Sequence, residues 1–196
     1  MKRVTYFASA AILLFAASTS SQQPPPPAGQ KVGLATSLQR GYANLKTNLT
    51  QEAEKMPEAD YNFKPGTTPE ARTFGQAMAH VAQAQFGQCS GVKGVPNPMQ
   101  GKNLEQELKT KAEITKALAD SFALCDDAFA STTDENAVQF IKQGPNEATR
   151  AAALYGVLVH GNEMYGTGAV YLRSKNIVPP STERAQQGMR GRGNQN

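Results

Sequence analysis

The sequence predicts an all-α protein, a four-helix bundle, on three observations. Apolar residues recur at spacings of three and four along four long stretches, the period of one face of a helix. Alanine is abundant and tryptophan is absent, so a core must be built from small side chains, which suits close helix-on-helix packing. No segment carries a convincing strand pattern. With 196 residues the chain is long enough for one domain of ordinary size.

The chain opens with Lys2 and Arg3, an apolar run over 4–17 and the small polar residues STSSQQ. That is the pattern of a secretory signal, assigned to 1–21, with cleavage expected between Ser18 and Gln22. The apolar run is shorter than the ~20 residues needed to span a bilayer, so no stable membrane insertion is expected after cleavage. The protein is therefore expected to be exported, periplasmic or secreted. The following QQPPPPAGQ, 22–30, reads as an extended proline-rich tether.

The bundle is expected over 31–180. Its first helix is predicted over 31–55, with Leu34, Leu38, Tyr42, Leu45 and Leu49 in one stripe, ended by the Met56-Pro57 step. The segment 57–72 reads as a loop pinned onto the bundle by Tyr61 and Phe63. Thr73 is a candidate cap for a second helix to about Val92, which places Phe74, Met78, Val81, Gln85 and Cys89 on one side. A third helix is predicted over 104–130, with Leu108, Ile114, Leu118, Phe122, Cys125 and Phe129 inward. A turn-rich stretch through Gly144-Pro145 leads to a fourth over 146–175, with apolar turns at Leu154, Leu158, Tyr165 and Leu172. The tail, 181–196, reads as disordered.

The formal charge of +4 does not indicate nucleic acid. Lys2 and Arg3 belong to the signal, and the tail sets three arginines against Glu183. The remaining stretch, 22–180, balances 15 basic against 15 acidic residues, which argues against a phosphate-binding surface.

There are two cysteines, Cys89 and Cys125. In an exported protein they read as a candidate disulfide joining the second and third helices; in the cytosol the same pair would be free thiols. Both lie late in their helices. Pairing therefore needs those helices to run roughly parallel, or the second to bend.

Two long stretches, EKMPEADYNFKPGTTPEARTFGQAMAHVAQAQ over 54–85 and HGNEMYGTGAVYLRSKNIVPPS over 160–181, together resemble the DinB-like (DinB/YfiT) superfamily. The first carries a Met-Pro step, a Tyr-x-Phe-x-Pro loop and a helix opening with Thr-Phe-Gly; the second ends in Tyr-Leu-Arg and Pro-Pro-Ser. The resemblance spans about 31–181. It implies a four-helix bundle with a shallow cavity, in which many members bind a divalent metal through three histidines, one from the second helix and two at i and i+4 of the last. Some members are transferases or isomerases using low-molecular-weight thiols. The second-helix histidine falls on His80 and the first of the last-helix pair on His160. The second falls on Met164, a departure in the part of the motif that carries function.

His80 and His160 are the only histidines in the chain. His160 and Met164, one turn apart, share a helix face. Two imidazoles hold Zn²⁺ or Ni²⁺ poorly, because such sites want three or more protein donors. Glu163 lies off that face and is a weak substitute. A thioether suits Cu(I) better than Zn²⁺, although methionine is also an ordinary gap-filler in helical cores. The expected site is thus a degenerate His80, His160, Met164 set. It belongs to a protein of unassigned activity, to a metal-dependent hydrolase or thiol transferase with weak metal binding, or to a periplasmic module for a small-molecule ligand. No nucleophile elbow, phosphate-binding glycine loop or Cys-x-x-Cys is present. The acidic pairs Asp126-Asp127 and Asp134-Glu135 read as solvated surface, and Arg173 as a helix-end anchor or a ligand contact.

Overall fold

The computed structural model describes residues 27–193. The expected signal segment and most of the tether lie outside the described residues. The chain forms the four-helix bundle that its periodicity predicts. The long helices are α1 (Leu34–Lys55), α2 (Phe74–Lys93), α4 (Lys111–Ala130) and α6 (Arg150–Ser174). Shorter elements are α3 (Leu104–Glu107), α5 (Asp134–Ala137), the strands β1 (Phe140–Gln143) and β2 (Asn146–Thr149), and α7 (Pro180–Gly193). Among the described residues no helix is long and apolar enough to cross a membrane.

Contacts fix the direction of each helix. Tyr42 meets Phe122 and Asp126 while Lys111 reaches back to Glu54, so α1 and α4 are antiparallel. Gly41, Gly161 and Gly168 set α1 and α6 side by side and parallel, with Leu158 over Gly41, Leu45 against Gly161 and Glu52 against Gly168. A Cβ on Gly161 would run into Leu45, so a glycine is required for this close approach. Helices α2 and α4 are also parallel: Gly75 packs near Ile114, Gln85 accepts a 2.8 Å hydrogen bond from the Ser121 hydroxyl, and Lys93 pairs with Asp127 at 2.7 Å. The connection over 94–110 carries the chain back along the bundle and makes that direction available. It also brings Cys89 and Cys125 together as a disulfide with a Cα–Cα distance of 5.2 Å, the two late positions falling side by side.

The predicted stripes are the core. Leu45, Leu49, Phe74, Met78, Val81, Phe122, Cys125, Phe129, Leu154 and Leu172 are all buried, whereas Leu34, at the start of α1, is exposed. Tyr42 stacks on Phe129 with ring centroids 4.1 Å apart. The loop before α2 is pinned by its aromatics. Tyr61 is buried, donates to the Ala53 carbonyl at 2.6 Å and packs edge-on against Phe74, and Phe63 packs edge-on against Tyr171. Thr73 caps α2 in a capping box with Gln76.

Three expectations are corrected. The third predicted helix is broken, because Thr110 and Glu113 form a capping box that starts α4 afresh and leaves Leu108 extended. A hairpin replaces the start of the fourth: β1 and β2 pair antiparallel with Gln143 opposite Asn146, and Gly144, at φ +59°, takes the first position of a two-residue Gly-X turn. The tail is helical, α7, and docked. The Tyr165 hydroxyl donates to Ser181 Oγ at 2.8 Å and accepts from the Ser181 N–H, Glu183 pairs with Lys55 at 2.9 Å, and Arg184 donates to the side chains of Asn48 and Gln51. The acidic pairs lie at the surface, as expected, and two of their members also make structural contacts. Asp126 accepts from Tyr42 at 2.7 Å and from Lys46 at 2.6 Å, and Asp134 accepts from the Ala35 N–H at 2.7 Å, satisfying a free donor at the positive end of α1.

Candidate functional site

His80 leaves α2 on the side turned away from Cys89, and the antiparallel neighbour α6 brings His160 to it. The two Nε2 atoms lie 3.2 Å apart, with ring centroids at 5.1 Å and an interplanar angle of 63°. Behind His80 stands Glu105, on α3. Asn103 caps that short helix by accepting from the Gln106 N–H, and the Leu104 N–H donates to Gln83 of α2, so α3 is held against the bundle. Glu105 Oε1 meets His80 Nδ1 at 2.7 Å, and Arg72 grips the same carboxylate with Nε on Oε2 at 2.8 Å and Nη2 on Oε1 at 3.2 Å. The Arg72 carbonyl in turn accepts from the Tyr171 hydroxyl at 2.7 Å.

This chain of contacts assigns the protons. The Glu105 carboxylate is an acceptor, so His80 carries its hydrogen on Nδ1 and presents a bare Nε2 to His160. With both rings neutral, His160 Nε2–H donates across the 3.2 Å gap. Burial, and then the proximity of His80, hold the His160 imidazole below its usual range, outweighing the opposite pull of Glu163. For Glu105, burial pushes the carboxyl upward, but the hydrogen bonds from Arg72 and His80 outweigh it and the net shift is downward.

The separation of the two nitrogens also matches that of two ligands in a metal's shell. Two imidazole nitrogens bound at ~2.0–2.1 Å with a near-tetrahedral angle stand about 3.3 Å apart, close to the separation already present. Glu105 on the far nitrogen is the carboxylate–histidine arrangement that orients a ligating ring and raises its basicity. Among the described residues no three His, Cys, Asp or Glu side chains group as a metal cluster. Met164 is buried and packs in the main core cluster, and Glu163 is exposed. Arg173 reaches Thr182 at 3.3 Å, at the junction with α7.

The sequence thus brings together His80 and His160 but does not announce Arg72 or Glu105. Glu105 is 25 residues from His80 on a one-turn helix. Arg72 precedes the cap of α2, where helical spacing gives no guide. The one local signal is the asparagine cap at Asn103.

The family model described as the DinB superfamily matches residues 43–166. Three solved structures share the fold. A DinB-like protein from Bacillus cereus ATCC 10987 has a TM-score of 0.61 at 14% identity, covering 73% of this chain and 93% of that one. A conserved protein from Enterococcus faecalis has a TM-score of 0.58 at 15% identity, covering 73% and 97%. The DinB-like protein YjoA from Bacillus subtilis has a TM-score of 0.54 at 18% identity, covering 71% and 92%. No curated protein matches. At these identities the likeness establishes the architecture.

Proposed function

The chain belongs to the DinB superfamily, and on that premise we propose that it is an exported DinB-like protein with a reduced, two-imidazole metal site at His80 and His160. The observation that carries the reading is the 3.2 Å approach of the two Nε2 atoms with Glu105 fixed behind one of them. A bound Zn²⁺ or Ni²⁺ would supply Lewis acidity and an activated water at such a site. The residues hold and orient: His80 is locked in one tautomer by Glu105, Glu105 is locked by the Arg72 fork, and His160 stays neutral and able to ligate. With two protein donors, binding is weak and reversible. Export is supported by the signal-like N-terminus and by the Cys89–Cys125 disulfide, which persists in oxidising compartments.

The test is a Zn²⁺ and Ni²⁺ titration of untagged protein, together with elemental analysis of protein taken from its own periplasm. Wild type should bind weakly at one site, and His80→Ala should abolish that binding. Met164→His, which restores the family's third histidine, should tighten it by about a hundredfold or more, since each ~1.4 kcal/mol is a factor of ten. Binding that is unchanged in His80→Ala would overturn the reading. So would a folded Met164→His protein that gains nothing.

A second reading, a module that binds a small ligand, is favoured by the cleft that opens beside His80.

A further inference from the structure

Helix α6 turns one face to the core and leaves the opposite one bare. Ala152, Tyr155, Val159, Glu163, Gly166 and Val170 are exposed and follow one another at spacings of three and four, a single stripe along the helix. Tyr155 is 62% exposed, Val159 49% and Val170 52%. The polar residues beside the stripe have turned back onto their own helix: Asn162 donates to the Leu158 carbonyl, Thr167 to that of Glu163 and Ser174 to that of Val170. Covering this face therefore strands few donors.

Two glycines on the same side have no explanation within the chain. A Cβ on Gly156 or Gly166 would meet nothing within 4 Å, and neither glycine has a positive φ. Glycine weakens a helix relative to alanine, so two of them facing open space fit a helix that another backbone approaches closely.

The stripe also reads alike in both directions. About the level of Gly161, Ala152 mirrors Val170, Tyr155 mirrors Gly166 and Val159 mirrors Glu163, each to within one residue. A contact between two identical copies needs that symmetry, because each position must face its own mirror position. With the two helices antiparallel, the Tyr155 ring of one copy lies over Gly166 of the other, a large group against a gap. At about 100° per residue, Glu163 and His160 fall on the same flank of the stripe, so Glu163 of the second copy comes level with His160.

We propose that α6 is a self-association face: two copies of this chain pair through it, antiparallel about the level of Gly161, and each brings its Glu163 to the other's imidazole pair. Glu163 is the one charged residue of the stripe, and the pair it meets has two donors where a metal wants three or more. That contact rests on the reading of His80 and His160 as a metal site; the pairing of the helices does not.

The experiment is sedimentation of metal-free, full-length mature protein from about 1 to about 100 µM, bracketing the micromolar Kd expected of so small an interface. Reversible dimers are expected. Tyr155→Glu and Gly166→Leu should each weaken association by about tenfold or more without lowering the melting temperature, since both positions are exposed and a Cβ at 166 meets nothing in its own chain. A mixture of Ala152→Cys and Val170→Cys proteins should oxidise to a cross-linked dimer. Neither should do so alone, because its two thiols stand about 27 Å apart at ~1.5 Å of rise per residue. Zn²⁺ should tighten the wild-type dimer by about tenfold, and Glu163→Gln should lose that gain while still pairing. A protein that stays monomeric throughout would overturn the pairing, as would dimers that survive both Tyr155→Glu and Gly166→Leu. Zn²⁺ that binds without tightening the dimer would overturn the placing of Glu163. If Zn²⁺ does not bind at all, the metal reading falls, and the metal-free pairing still stands or falls on its own variants.

Discussion

Helix α2 presents two faces, and the bundle treats them in opposite ways. One face carries Phe74, Met78, Val81, Gln85 and Cys89, all buried, and closes against α4 with a disulfide. The other carries His80, Gln83, Gly87 and Gln88, meets α6 at the imidazole pair, and opens into a surface groove. The same 3.6-residue period generates both. What differs is side-chain volume and polarity: large apolar groups remove water and weld the helices, whereas imidazoles, amides and a glycine leave a gap that water or a ligand must fill. Packing is concentrated on the first face, and the second is left open.

The largest expected effect lies on the sealed face. Breaking the disulfide with Cys89→Ser and Cys125→Ser should cost about 3–4 kcal/mol, because the bridge spans 36 residues of sequence and restricts the unfolded chain. Denaturant unfolding of the oxidised and substituted proteins measures it. Thiol labelling of denatured, unreduced protein should modify neither cysteine. The proposed metal binding at His80 and His160 should survive in the substituted protein; if it does not, the two faces are not separable.

A smaller effect tests what a sealed seam does to a charge. Glu52, on α1, is fully buried against Gly168, and neither carboxylate oxygen has a hydrogen-bond partner. Burial pushes its carboxyl up to about 9, against the weaker downward pull of Arg173. The folded protein thus keeps a proton that the unfolded chain releases above the ordinary carboxylate range. Stability is greatest below that range and declines as pH rises toward about 9. Glu52→Gln should flatten that slope and stabilise the protein at pH 8 by on the order of 3 kcal/mol. Melting curves across pH 4–9 for the two proteins decide it, and identical slopes would refute it.

The smallest effect belongs to the open face. The His160 imidazole should titrate below its usual range, and His80→Ala should move it back upward by relieving one of the two main causes. NMR titration of the ring protons measures both values. A His160 that titrates in the ordinary range would mean that this face is wetter than its geometry indicates.

Sequence and structure divided the work along physical lines. The four helices, their inward stripes, the cap at Thr73 and the aromatic pinning at Tyr61 and Phe63 were legible because each depends on neighbours within a few residues. The fracture at Leu108 was legible too in principle, since Thr110-Lys-Ala-Glu113 spells a capping box, but the apolar period runs across it and hides it. The hairpin over 140–149 escaped because two four-residue strands are too short for an alternation to stand out. Composition marked the last residues as tail, while Ser181, Glu183 and Arg184 found partners on α6 and α1 that no local pattern encodes.

By itself the sequence determined the bundle, its family and the two histidines, since helical periodicity and the two long motifs reside in contiguous residues. Tertiary structure alone decided that α2 and α4 run parallel, which makes neighbours of two late cysteines. It also set Glu105 and Arg72 behind His80, and gathered amides from a helix, a loop and a hairpin around one cleft. Those arrangements depend on how the connections over 94–110 and 131–149 return the chain. Such long-range closure is governed by the packing of the whole core, which no local spacing records.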